Sequence, residues 1–152
     1  MTTTINRSAL LPYSAEAVFE IINDVSKYPE FLPWCSAVEV IESNAREVVA
    51  RITLQARGLN QTFTTRNVLT PYEKIDLQLV SGPFKELSGN WVFTKLGDDE
   101  GCKIELFLRF QLSGIRALFG TGIIGSPFAK VFNNAADQMV DAFCERANEI
   151  LN

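Results

Sequence analysis

Along most of this chain apolar and polar residues alternate, and only two segments change to a helical period. In residues 47–57, Val48, Ala50, Ile52, Leu54 and Ala56 take one parity, while Glu47, Arg51, Gln55 and Arg57 take the other. Successive strand side chains point to opposite faces, so this segment predicts a strand with one covered and one wet face. Cys102, Ile104, Leu106, Leu108, Phe110 and Leu112 repeat the pattern, opposite Lys103, Glu105, Phe107 and Arg109. Looser alternation predicts strands over 3–11, 36–42, 61–70, 75–79 and from 85 onward, the last with Leu87, Gly89, Trp91 and Phe93 on one side. Turn formers separate them: Ser43-Asn44-Ala45, Gly58-Leu59-Asn60, Pro71-Tyr72-Glu73, Gly82-Pro83 and an acidic tip at 97–101, read as a solvated hairpin end. Connections this short imply an antiparallel meander.

Pro12 ends the first strand, and Ser14 is placed to cap a helix from Ala15 to about Asn23. Pro29 and Pro33 then limit 24–33 to a short helical turn and a loop. The terminal segment 126–151 predicts a single long helix. Phe128, Val131, Phe132, Ala135, Met139, Ala142, Phe143 and Ile150 fall on one stripe, opposite Lys130, Asn134, Asp137, Asp141, Glu145 and Asn148. Arg146 is the one charge in line with that stripe, and it has two readings. It pairs with the helix dipole or an acid, or it holds a polar head group at the end of a pocket. Just before this helix, 114–125 is apolar and rich in glycine. That stretch reads as a gate over a hydrophobic pocket, with shallow insertion into a membrane surface as the other option.

The order of strand, helix, short helix, six strands and long helix predicts an α+β fold. An antiparallel sheet of about seven strands is covered on one face by the terminal helix. The centre is either packed solid or hollow at the usual ligand size of roughly 300–1,000 Å³. Inward residues are small in the middle, as at Ala50, Gly89 and Ala135, which favours the hollow reading; so do inward Thr65 and Asn67, because buried polar groups need partners. The candidate lining is Trp34, Phe63, Leu79, Trp91, Phe93, Phe110, Phe119, Phe128, Phe132, Ala135 and Met139. Trp91 and Phe93 line the hollow or pack against the helix; Trp34 caps its mouth or plugs the domain's end.

The 152 residues, 47% hydrophobic and 21% charged, suit one domain with a full core. No apolar run approaches the roughly 20 residues a bilayer-spanning helix needs, and the first residues show no apolar signal segment. The expected location is cytoplasmic, with peripheral contact at the inner membrane as the limit. The net charge of −4 argues against DNA binding and against strong attraction to anionic lipid. Three widely spaced cysteines read as free thiols in a reducing compartment. The chain has no histidine, which removes Ser-His-Asp and Cys-His catalysis and nearly all zinc chemistry. No inward carboxylate pair stands in for it, so neither enzymatic activity nor a cofactor is expected.

Several blocks then resemble one family. They are residues 9–16 (Ala-Leu-Leu-Pro-Tyr-Ser-Ala-Glu), 23–33 (Asn-Asp-Val-Ser-Lys-Tyr-Pro-Glu-Phe-Leu-Pro), 63–67 (Phe-Thr-Thr-Arg-Asn), 82–85 (Gly-Pro-Phe-Lys), 91–93 (Trp-Val-Phe) and 139–147. Together they resemble the START and polyketide-cyclase superfamily, in the branch that holds coenzyme Q-binding START-domain proteins and the RatA family of bacterial ribosome-association toxins. Blocks 63–67 and 82–85 resemble the bacterial branch most. The chain departs from it at 114–127, which is longer and richer in glycine. The resemblance implies a helix-grip fold, with seven antiparallel strands around a long C-terminal helix. It implies two activities. The first is non-enzymatic binding of a hydrophobic molecule, ubiquinone or a related isoprenoid lipid, in support of respiratory electron transport. The alternative is a toxin that binds the large ribosomal subunit and blocks subunit joining. For that partner, Arg51, Arg57 and Arg66 are the candidate outward basic patch.

Overall fold

The computed structural model describes residues 2–112 and 127–152. Its elements in chain order are β1 (Thr3–Leu11), α1 (Ala15–Asn23), a 3₁₀ turn (Val25–Glu30), β2 (Cys35–Ser43), β3 (Glu47–Ala56), β4 (Leu59–Thr70), β5 (Lys74–Ser81), β6 (Phe84–Leu96), β7 (Gly101–Leu112), α2 (Pro127–Asp137) and α3 (Met139–Leu151). The strands form one seven-stranded sheet in the order β1-β7-β6-β5-β4-β3-β2. Each neighbouring pair is antiparallel. The predicted meander runs from β2 to β7, and β1 closes onto β7 in the register Leu11↔Cys102 to Thr3↔Phe110.

Ser14 caps α1 as expected: its hydroxyl accepts from Ala17 N at 3.1 Å. The acidic tip is more than a solvated turn, because Asp99 Oδ1 accepts from Ala15 N at 3.1 Å. Two side chains thus satisfy the free N–H groups at the start of α1. This contact spans 84 residues, so the local charge run could not announce it.

The terminal segment is not one straight helix. It bends at Gln138 (φ −97°, ψ −1°) into α2 and α3. The bonds Gln138 N to Asn134 O and Ala142 N to Gln138 O, each 3.1 Å, carry the helical ladder through the joint. Neither proline nor glycine causes the bend. The two halves share β1 and β6 but otherwise differ in what they cover: α2 packs on aromatic rings of β4, β6 and β7, and α3 on α1, the 3₁₀ turn and Trp91 of β6. Arg7 of β1 donates to Asp137 Oδ1 and fixes the joint to the sheet edge. Ile150, placed on the apolar stripe by its spacing, is 51% exposed; the stripe stops at Ala147, beyond which the last turn leaves the sheet. The cover over the sheet is therefore α2 and α3 together with α1, not the terminal helix alone.

The glycine-rich stretch 114–125, Phe119 within it and the Ser126 cap position lie outside the described residues. Among the described residues no helix is long and apolar enough to cross a membrane.

Candidate functional site

The inner faces of β3 to β7 and the underside of α2 enclose a cavity of about 80 Å³. Its wall is mainly apolar, from Ile52, Phe63, Leu77, Leu87, Trp91, Leu106, Leu108, Phe132 and Ala135, joined by Val25 and Tyr28 of the 3₁₀ turn and by Trp34 and Met139. Two polar side chains face in from β4. Thr65 Oγ1 donates to Asn67 Oδ1 at 3.0 Å, and both residues are buried. The Tyr28 hydroxyl is already engaged, donating to the carbonyl of Ile22, and burial drives its pKa far above the usual phenol range.

Of the predicted lining, the structure brings Trp34, Phe63, Trp91, Phe132, Ala135 and Met139 to the cavity. Four described candidates lie elsewhere. Phe93 packs edge-on against Phe19 of α1, with centroids 5.3 Å apart. Phe110 and Phe128 join Phe84 and Phe132 in an aromatic cluster that closes one end of the domain, with Phe110–Phe132 at 4.7 Å and Phe84–Phe128 at 5.5 Å. Leu79 is half-buried against the core. All four point inward; parity assigns a face, but not a position along the strand. The same limit hid Leu77, Leu106 and Leu108, while Val25 and Tyr28 belong to the 3₁₀ turn, where no alternation marks a face. The volume is also well below the roughly 300 Å³ expected of a ligand pocket, because rings of the aromatic cluster fill the rest of the concavity.

Trp34 and Ala135 have a second role. On their outer side lies an open groove of about 340 Å³, bordered by Pro33, Gln55, Arg57, Val131, Asn134 and Gln138. One layer of side chain separates it from the cavity. The backbone of Trp34 is fixed, since its carbonyl accepts from Gln55 N at 2.8 Å. Arg57 and Gly58 form the two-residue turn between β3 and β4, with φ of +53° and +81° and Ala56 paired to Leu59. Glycine suits that conformation, whereas an arginine in it costs about 1–3 kcal/mol.

The three candidate arginines of the outer face differ in their partners. Arg51 Nη1 is 2.6 Å from Glu39 Oε1, and Arg66 Nε is 3.5 Å from Glu47 Oε2. Arg57 forms no ion pair among the described residues. Exposed pairs are worth only about 0–1 kcal/mol, so a partner can release Arg51 and Arg66, but at rest their charge is compensated. Phe107 is 41% exposed on this face, beside a shallow depression that also holds Val68, Gln78 and Asn90.

Arg146 makes the acid pair of its first reading, and it also borders an open groove of about 490 Å³ beside α1 and the 3₁₀ turn, so its position at a pocket's edge stands as well. Its Nη2 is 2.9 Å from Glu30 Oε1, and its guanidinium carbon lies 4.9 Å from the Phe31 centroid. That hydrogen bond holds the exposed Glu30 carboxyl below its usual pKa.

Cys35, Cys102 and Cys144 are all free. Burial pushes the thiols of Cys35 and Cys102 up to about 11, which leaves almost no thiolate at neutral pH. Iodoacetamide is expected to alkylate these two only after denaturation, as read by peptide mass spectrometry. Labelling of either in the folded protein at the rate of an ordinary thiol would contradict their buried positions.

Comparison with known proteins agrees with this fold. A family described as polyketide cyclase / dehydrase and lipid transport matches residues 11–144. The chain is similar to the ribosome association toxin RatA of Pseudomonas aeruginosa, 47% identical over 150 residues and 99% of each chain. It is more distantly similar to the coenzyme Q-binding protein COQ10 homolog B of Xenopus laevis, 23% identical over 95% of this chain and 58% of that one. The crystal structure of the Zhui aromatase/cyclase from Streptomyces sp. R1128 superposes with a TM-score of 0.82 at 22% identity, covering 100% of this chain and 97% of that one. This likeness shows the helix-grip fold.

Proposed function

The chain belongs to the polyketide cyclase / dehydrase and lipid transport family, in the branch of the RatA proteins, and from that premise we propose that it acts on the ribosome as a non-enzymatic association factor. It binds the large subunit and hinders subunit joining. The observation that carries this reading is the 47% identity to a ribosome association toxin across 99% of both chains. The exposed sheet face, with Phe107 and the releasable Arg51 and Arg66, supports it as a surface that no helix covers among the described residues. No carboxylate lines the cavity among the described residues, which supports binding over acid–base catalysis. Sucrose-gradient sedimentation of purified subunits is the test. The joined-ribosome peak is expected to shrink as protein is added in excess, and an unchanged peak would overturn the reading.

A second reading concerns the cavity. Its mainly apolar wall favours a small hydrophobic ligand or the apolar end of a longer one. Ubiquinone itself has weaker support: it rests on the relative at 23% identity, and a void of about 80 Å³ holds no polyprenyl tail. The two readings are compatible, since cavity and outer sheet face are different surfaces.

A further inference from the structure

The geometry points to a composite binding site for a small anionic amphiphile, with its head group on Arg57 in the outer groove and its apolar end passing the Trp34 side chain into the cavity. This rests on the second reading above and names the ligand class and the way in. Three observations carry it. Trp34 and Ala135 border both the groove and the cavity, so rotation of one indole about a fixed backbone makes the two spaces continuous. The groove is bordered by Arg57 and by the amides of Gln55, Asn134 and Gln138, with no acid among its described lining. In a chain of net charge −4, such a concavity selects for a carboxylate or phosphate. Finally, Arg57 occupies a left-handed turn position where asparagine or glycine would be more stable, so the fold does not account for its presence there.

The cavity alone takes only a few methylene groups. With the indole displaced toward the groove, the chain of a medium-length fatty acid lies along Ala135 and Met139 while its carboxylate stays at the mouth.

Calorimetric titration with decanoate and with decanol tests this. Decanoate is expected to bind about tenfold more tightly than decanol, the scale of one charge-assisted hydrogen bond. Arg57→Asn suits the turn, so it is expected to fold with an unchanged or raised thermal midpoint, to lose the preference for decanoate, and to keep its affinity for decanol. In Trp34→Ala, decanol is expected to associate faster. If both probes bind equally to the unaltered protein, or if Arg57→Asn keeps the preference, the composite site is wrong while the cavity reading stands. If neither probe binds, the cavity reading fails and takes this proposal with it. If Arg57→Asn leaves decanoate binding intact but weakens sedimentation with the ribosome, Arg57 is a ribosome contact and the proposal is overturned.

Discussion

Phe143→Ala is expected to cost about 4 kcal/mol of stability, within the range for burying and then removing a large aromatic. Phe143 is 1% exposed. Three rings meet it edge to face: Tyr28 at 5.2 Å, and Phe31 and Trp91 at 5.3 Å each. These rings belong to the 3₁₀ turn, its end and β6, so Phe143 is the point where α3 is held to both. Tyr28 does not collapse into the space, because its hydroxyl is held by the carbonyl of Ile22. At this chain length the loss lowers the melting midpoint by roughly 8–16 °C. A second effect follows from position. Tyr28 and Trp91 also border the cavity, so the void left by the ring opens into it. Apolar voids take up apolar guests, and decanol is expected to bind Phe143→Ala more tightly than the unaltered protein. A midpoint shift under about 2 °C, less than 1 kcal/mol at this size, would show that α3 is not held there.

The fold was largely legible because most of the sheet has water on one side. Where a strand separates core from solvent, parity in the sequence records the face, as in β3 and β7. Ser14 was legible for a similar reason: a cap acts within one turn of its own position. What parity does not record is curvature. Phe93 and Trp91 share a face, yet one packs on α1 and the other borders the cavity, because the sheet curls around α2 and α3 along its length. The bend at Gln138 was hidden because a helical stripe continues across it without a breaker. The Asp99 cap was hidden because it depends on where a hairpin tip lands in space. The aromatic cluster that reduces the cavity was visible only as a set of inward rings. Whether such rings border a void or fill it depends on their third dimension, which no one-dimensional pattern carries.

Gly89 shows the same limit at a single residue. Its parity places it among inward positions, where its small size reads as room for a ligand. It does not border the cavity. The structure gives a different reason for the glycine: a Cβ there would sit 2.1 Å from the carbonyl oxygen of Phe107 and 2.9 Å from the Cα of Leu108. Both atoms are backbone of β7, in the middle of the sheet, where Gly89 pairs with Leu108 on one side and Leu77 on the other. A side chain can rotate away from such a contact, but a paired strand cannot move without breaking its ladder. Gly89→Ala is therefore expected to cost about 3 kcal/mol, the upper end of ordinary overpacking. Ser88→Ala, one residue away on the exposed face, is expected to stay within about 0.5 kcal/mol and serves as the control in the same denaturant titration. The damage should also reach both functional surfaces, because the strained strand presents Leu108 to the cavity and Phe107 to the outer face. Equal midpoints for the two variants would mean that β7 does not approach Gly89 this closely, and close strand approach would have to be abandoned as the reason for a glycine at this position.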